Sequence, residues 1–287
     1  MRANVPEYEL RVPRGLGEAL ELMADGAGAW RPFAGGTDLM VLFESGRLAH
    51  KKFVSIRRLE ELRGVEESET HVTLGALTTY AEVRASATLR SEFPVLARAA
   101  AETGGLAIQN RGTLGGNIAN ASPAADTPPG LLAYGAQVEL LSASGARWVE
   151  YAEFHTGYKQ SVMRPDELIS RVRLPRTRAD AAHYWRKVGT RRAQAISKVC
   201  LAGYAETDGG RVREVRIGLG SVAPVPLRCR RTEEALRGRE LEAATLDEAA
   251  RVLAEEVAPI DDIRSTARYR RRVAANLLRD FLTSVRG

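Results

Sequence analysis

The chain of 287 residues is 44% apolar and 27% charged, an ordinary globular composition, and at roughly 100–200 residues per domain it has room for two domains and a sizeable core. Its two cysteines, Cys200 and Cys229, form no CxxC pair, and His50, His71, His155 and His183 lack metal-ligand spacing; this argues against a disulfide framework, an iron–sulfur cluster ligated by this chain alone, and any metal site. The net charge of +6 is spread along the chain with glutamates between the arginines, so Arg186-Lys187, Arg191-Arg192 and Arg270-Arg271-Arg272 read as a solvated face, a subunit contact or a phosphate ligand, and no nucleic-acid binding is expected.

Residues 1–6 lack the apolar stretch of a signal peptide, and no window approaches about 18 uninterrupted apolar residues, so a cytoplasmic chain without a transmembrane segment is expected. Residues 18–23 carry a helical pattern on Leu20, Leu22 and Met23, ended by Gly26 and Gly28. Residues 30–33 read as a short strand entering Ala34-Gly35-Gly36-Thr37-Asp38, and an apolar-rich segment follows at 39–43. Strands are expected at 53–56 and 72–76, and helices at 79–84 and 94–101. Residues 104–129 have loop composition, yet Leu106, Ile108, Leu114 and Ile118 within them argue for an ordered, packed loop.

Beyond it, residues 138–141 and Val149 read as strands around Ser144-Gly145, and 168–174 as a strand ending at Pro175. The small, polar stretch 177–182 reads as a linker, which places one domain at 1–176 and a second at 177–287. The second begins with strands at 185–188, 199–205 and 212–220, stops at the Pro-containing run 221–226, and ends in helical stretches at 232–236, 246–257 and 269–282.

Two segments share a design: Pro32-Phe33-Ala34-Gly35-Gly36-Thr37-Asp38-Leu39 and Gly112-Thr113-Leu114-Gly115-Gly116-Asn117-Ile118. Each sets a Gly-Gly pair beside hydroxyl or amide side chains. Glycine permits positive φ and close approach of the backbone to a ligand, and successive N–H groups in such turns form an anion-binding nest. Thr37, Thr113 and Asn117 add neutral donors, a set that suits a pyrophosphate held between two turns. Most Gly-Gly pairs are merely turns, and neither segment matches GxGxxG after a strand or GxxxxGK[ST]. Asp126, in the rigid polar run after the second turn, suits either a ribose hydroxyl or a helix N-cap.

Together, Ala34-Gly35-Gly36-Thr37-Asp38, Thr113-Leu114-Gly115-Gly116-Asn117 and Ala121-Ser122-Pro123-Ala124-Ala125-Asp126 resemble the FAD-binding subunits of the molybdenum hydroxylases, the family of xanthine dehydrogenase and aerobic carbon monoxide dehydrogenase. The similarity continues through Pro165-Asp166-Glu167-Leu168-Ile169 and Lys187-Val188-Gly189-Thr190-Arg191 and covers nearly the whole chain. The resemblance implies an α+β fold: a two-lobed FAD-binding domain of the vanillyl-alcohol-oxidase type, then an antiparallel sheet with a helix bundle.

It also implies roles. Ala34, Gly35, Gly36, Thr37 and Asp38 fall in one pyrophosphate loop, and Thr113, Gly115, Gly116 and Asn117 in the other. Asn120 and Asp126 fall where the family contacts the FAD diphosphate and ribose, and Ile169 where an apolar side chain packs on the flavin. Lys187 falls where a lysine sits near the isoalloxazine and stabilises negative charge on it. Arg191 lies in a loop that borders the flavin, and Arg31 is a further candidate contact.

The implied activity is an electron relay. A large molybdopterin subunit oxidises its substrate, a small subunit carries 2Fe–2S clusters, and FAD on this chain delivers electrons to an acceptor, in a dimer of heterotrimers. The chain departs from the animal xanthine dehydrogenases, which carry acidic residues where it has Arg191-Arg192-Ala193-Gln194-Ala195-Ile196, so NAD, a quinone and oxygen all stay open as acceptors. The wording around residues 110–113 and 187–191 points to a purine substrate. Alternative readings are a carbon monoxide dehydrogenase subunit, a stand-alone flavin oxidoreductase with its own substrate pocket, and a non-enzymatic nucleotide-binding scaffold.

Overall fold

The computed structural model describes residues 7–25, 28–191 and 194–286. Gly26, Arg192 and Ala193 lie outside the described residues. The first lobe is a three-stranded parallel sheet in the order Glu9–Arg11, Lys52–Ser55, Trp30–Phe33. Parallel strands need crossover connections, and the helix Leu16–Asp25 carries the chain from Glu9–Arg11 to Trp30–Phe33 across the position of the central strand, burying Ala19, Leu20 and Met23 at helical spacing.

The second lobe is a five-stranded antiparallel sheet in the order Val65–Glu67, His71–Gly75, Leu168–Pro175, Gln137–Ser142, Gly145–Glu150. Helices Tyr80–Ala85, Ala87–Glu92 and Pro94–Glu102 contribute to its core through Val83, Leu89, Val95, Leu96 and Ala99. The first starts one residue later than its pattern suggests, because Thr79 is the cap: its side chain accepts from Glu82 N–H at 3.2 Å while Glu82 accepts from Thr79 N–H at 2.6 Å.

Residues 104–129 are ordered, as expected, but they are not a loop throughout. They contain the short helices Leu106–Gln109 and Leu114–Ala119 and the start of Thr127–Ala133, the last with prolines in its first turn, where a missing N–H costs nothing. Leu39–Glu44 is also a helix, and Met40, Val41 and Leu42 are exposed on it despite their apolar character.

The third layer is a four-stranded antiparallel sheet in the order Ala182–Val188, Val199–Asp208, Arg211–Gly220, Leu227–Arg228. Alternation along Val199–Asp208 sends its side chains to two cores: Cys200, Ala202 and Tyr204 join that of the second lobe, while Val199, Leu201 and Ala205 join the one under helices Arg230–Leu236, Ala243–Glu256 and Ala267–Arg286. The stretch expected as a linker is anchored at its start: Thr177 donates to Glu92 O at 2.7 Å, and Arg176 pairs with Glu92 and Glu67. Among the described residues no helix is long and apolar enough to cross a membrane.

Candidate functional site

A cleft of about 640 Å³ is lined by residues of both lobes, including both glycine segments, Tyr80, Lys159, Gln160, Ser161, Arg164, Glu167 and Ile169. Its size falls within the range of small-molecule and cofactor sites.

The strand Trp30–Phe33 delivers the first glycine turn and Leu39–Glu44 follows it. Gly36 has φ +74°, and a Cβ there would stand 2.7 Å from the Phe33 ring. A Cβ on Gly35 would stand 1.9 Å from the carbonyl oxygen of Arg111, whose side chain in turn donates to Gly35 O at 3.2 Å. Glycine is therefore required at 36 by conformation and at 35 by the approach of the second segment. The N–H groups of residues 35–39 donate to no protein acceptor among the described residues. Consecutive free donors around a left-handed glycine form a concavity suited to anions.

The second glycine segment differs, and the expectation of two equivalent nests is corrected. Leu114 and Gly115 N–H donate to Thr78 O and Ala76 O, both at 2.9 Å, and Asn117 N–H to Thr113 O at 2.9 Å. Gly116 N–H donates to the Thr113 hydroxyl at 3.1 Å, an N-cap bond. These donors are consumed in docking the segment against the second lobe. What it offers the cleft is a close-packed wall: a Cβ on Gly115 would meet Ala76 Cβ at 2.7 Å. It also brings the Asn117 amide, whose oxygen accepts from Thr127 Oγ1 at 2.6 Å.

A polar bridge crosses the cleft. Asn120 donates from Nδ2 to Asp38 Oδ1 at 2.9 Å, and Lys159 Nζ donates to Asn120 O at 2.6 Å and to Asn120 Oδ1 at 2.8 Å. Burial raises the Asp38 pKa against the opposing pull of the Lys159 charge and the Asn120 hydrogen bond. Arg31 also lines the cleft and donates to His50 Nε2 at 3.4 Å; burial and the Arg31 charge lower the His50 pKa, which favours the neutral, accepting imidazole.

Ile169 reaches the cleft through a break in register. Ile169 pairs with Leu140 but Arg171 with Glu139, so Ser170 is the extra residue of a bulge. Leu168 packs in the core of the first lobe and Ile169 in that of the second. Just before them, Glu167 accepts from Arg147 Nε at 2.7 Å, Arg147 Nη2 at 2.9 Å, Arg164 N–H at 2.7 Å and Arg164 Nε at 2.9 Å. Burial alone raises its pKa, but the Arg147 and Arg164 bonds outweigh burial and hold it at about 2.

Three expected residues stand apart from this cleft. Asp126 is at the N-cap position of Thr127–Ala133, yet its carboxylate makes no cap bond. It accepts instead from Lys187 Nζ at 2.7 Å and Ser197 Oγ at 2.6 Å. Lys187 also donates to Glu102 O at 3.0 Å and its side chain is only 1% exposed, so two acceptors hold it in the seam between the second lobe and the third layer. Arg191 is exposed and donates to Gln194 O at 2.8 Å. The arrangement thus gathers Arg31, Ala34, Gly35, Gly36, Thr37, Asp38, Thr113, Gly115, Gly116, Asn117, Asn120 and Ile169 in one place, and leaves Asp126, Lys187 and Arg191 outside it. Sequence reasoning missed Lys159, Gln160, Ser161 and Arg164; the tight Gly157-Tyr158-Lys159 turn was the available signal. Among the described residues there is no cluster of His, Cys, Asp or Glu able to hold a metal ion.

The model of the family described as the FAD binding domain in molybdopterin dehydrogenase matches residues 6–177, and that of the CO dehydrogenase flavoprotein C-terminal domain matches residues 184–285. The chain is 30% identical to the xanthine dehydrogenase FAD-binding subunit of Escherichia coli O157:H7, over 89% of this chain and 88% of the relative. It is also 30% identical to the glyceraldehyde dehydrogenase medium chain of Sulfolobus acidocaldarius, over 93% and 94%. A solved carbon monoxide dehydrogenase of Hydrogenophaga pseudoflava, lacking the Mo-pyranopterin moiety of its cofactor, contains a chain that superposes with a TM-score of 0.94 at 28% identity, covering 98% of each. With these matches spanning the cleft and the layer behind it, the chain belongs to the FAD-binding subunits of the molybdenum hydroxylase family.

Proposed function

We propose that this subunit serves as the flavin relay of a purine-oxidising molybdenum hydroxylase, joined to a small 2Fe–2S subunit and a large molybdopterin subunit as a dimer of heterotrimers. The observation that carries the reading is the first glycine turn. Its unpartnered N–H groups at 35–39 face a cleft that also holds the cations of Arg31 and Lys159, a donor set suited to a diphosphate. FAD, when bound, supplies electron transfer between iron–sulfur donors and an acceptor; the protein contributes binding, orientation and electrostatics.

In this reading residues 34–38 receive the diphosphate. Thr113, Gly115, Gly116, Asn117 and Asn120 form the facing wall, and Ile169, a buried residue that lines the cleft, offers an apolar surface to the ring system. The buried Asp126–Lys187 pair ties the third layer to the second lobe behind the cleft. We place the boundary between the two domains at 176/177, a division supported by the limits of the two family matches.

The purine assignment rests on the run Lys187-Val188-Gly189-Thr190-Arg191 and on the similarity to a subunit named for xanthine dehydrogenase. Its test is the purified complex, assayed with xanthine and with carbon monoxide, and with NAD, a quinone or oxygen as acceptor. Xanthine-dependent reduction is expected. Turnover of carbon monoxide without turnover of xanthine overturns the assignment in favour of the carbon monoxide dehydrogenase alternative. Turnover by this chain alone, with a substrate of its own, overturns the relay reading.

A further inference from the structure

We propose that Lys159 is a diphosphate-binding residue, held in reserve by Asn120 and Asp38 and delivered to the cofactor phosphates across the cleft. The proposal rests on the FAD reading above and names a cation within that site.

The backbone first shows that this lysine is specially placed. Lys159 sits between the paired segments His155–Gly157 and Gln160–Ser161 with φ +58°, a left-handed conformation that is uncommon for a residue with a side chain. The turn spends conformational energy at this position, and the side chain lines the cleft.

Its bonding shows what is missing. Nζ donates to the backbone carbonyl and the side-chain oxygen of Asn120, both neutral acceptors. The other end of the Asn120 amide donates to Asp38, so the carboxylate closest in this chain of contacts is reached only through the amide. Lys159 makes no direct ion pair among the described residues, whereas the neighbouring Arg164 is matched by Glu167 at 2.9 Å. Lys159 is exposed at the cleft, and desolvation of the ammonium lowers its pKa against the opposing pull of the Asp38 charge. A lysine whose Nζ spends its hydrogen bonds on neutral oxygens can exchange them for charged ones, and perturbed groups of this kind cluster at binding sites.

The position of Asp38 supplies the missing anion's address. Asp38 ends the first glycine turn, whose free N–H groups suit phosphate oxygens, and Lys159 is tethered to that turn from the opposite side of the site through Asn120. A diphosphate seated on the turn meets a lysine that exchanges neutral amide oxygens for charged ones, forming charge-assisted hydrogen bonds of the stronger kind. The backbone N–H groups supply orientation and Lys159 supplies charge.

The test is FAD titration of the deflavinated full chain, followed by flavin fluorescence at low and raised ionic strength, for wild type, Lys159→Met and Lys159→Arg. Each variant is first checked for a wild-type melting transition and near-ultraviolet dichroism. Lys159→Met is expected to weaken FAD about 10- to 100-fold, the worth of one charged hydrogen bond, and to flatten the salt dependence of the affinity. Lys159→Arg is expected to recover most of the affinity and the salt dependence. Wild-type affinity in Lys159→Met, or weakened affinity with the salt dependence unchanged, overturns the proposal and leaves Lys159 as a hairpin residue. Failure of wild type itself to bind FAD would sink the cofactor reading, a result separable from any effect of the substitution.

Discussion

Replacing Glu167 with glutamine tests whether the charged knot beside the cleft stabilises the fold. The Glu167 side chain is fully buried and receives four hydrogen bonds from Arg147 and Arg164. Removing one partner of a buried ion pair costs roughly 3–5 kcal/mol. The Arg147 and Arg164 side chains are 39% and 55% exposed, so water solvates the cations left behind and screens the pair. The expected loss is therefore smaller, about 2–3 kcal/mol near neutral pH.

The pH dependence provides the sharper half of the test. Glu167 is held at about 2 instead of its ordinary 4.5. A depressed carboxylate pKa stabilises the fold fully above the unfolded value, and the contribution is lost as pH falls from 4.5 toward 2. By about pH 3.5 the wild type should have lost about 1.4 kcal/mol through this group, and Glu167→Gln nothing. Urea unfolding of both proteins at neutral pH and at about pH 3.5, followed by tryptophan fluorescence, should show the gap narrowing by that amount. A gap of equal size at both pH values would refute the assigned role of the ion pair.

The glycine turns make a second contrast. Gly35→Ala places a carbon 1.9 Å from a backbone oxygen and should reduce FAD affinity at least about 100-fold in a fluorescence titration, whereas Gly116→Ala meets only the Thr113 hydroxyl at 2.8 Å and should cost about 1 kcal/mol of cap energy. In the seam, Lys187→Met leaves the buried Asp126 carboxylate without its cation and should destabilise by roughly 3–5 kcal/mol; adding Asp126→Asn should recover part of that, and strict additivity in a double-mutant cycle would contradict the pairing. Cys200 and Cys229 are both fully buried and burial raises both thiols, so a thiol reagent should modify neither in the native protein and both in denaturant.

What the sequence disclosed followed the reach of its physical signals. Alternation marked the strand Leu168–Pro175, and helical spacing at Val273, Leu277, Leu278 and Phe281 marked Ala267–Arg286, because one local period reports one buried face. The glycine segments were visible because a Gly-Gly pair beside polar side chains is itself a local signal, although their unequal donors were not: those of residues 114 and 115 are consumed by Thr78 and Ala76, a contact set by tertiary docking.

The apolar-rich segment at 39–43 carries no period that reports its exposure, and the helix Leu39–Glu44 leaves Met40, Val41 and Leu42 exposed. Lys159 escaped notice because a lysine at positive φ runs against local preference. The pairing of Asp126 with Lys187, 61 residues apart, depends on how the third layer packs and has no local signature. The sharing of Cys200, Ala202 and Tyr204 with the core of the second lobe likewise emerges only when the sheet is in place.

The most direct test of the central claim is the absorption spectrum of the purified chain before and after addition of FAD, with release and identification of the bound flavin. A flavin spectrum accounting for one FAD per chain is the predicted result. No bound flavin in either state would contradict the claim that this cleft is a working FAD site.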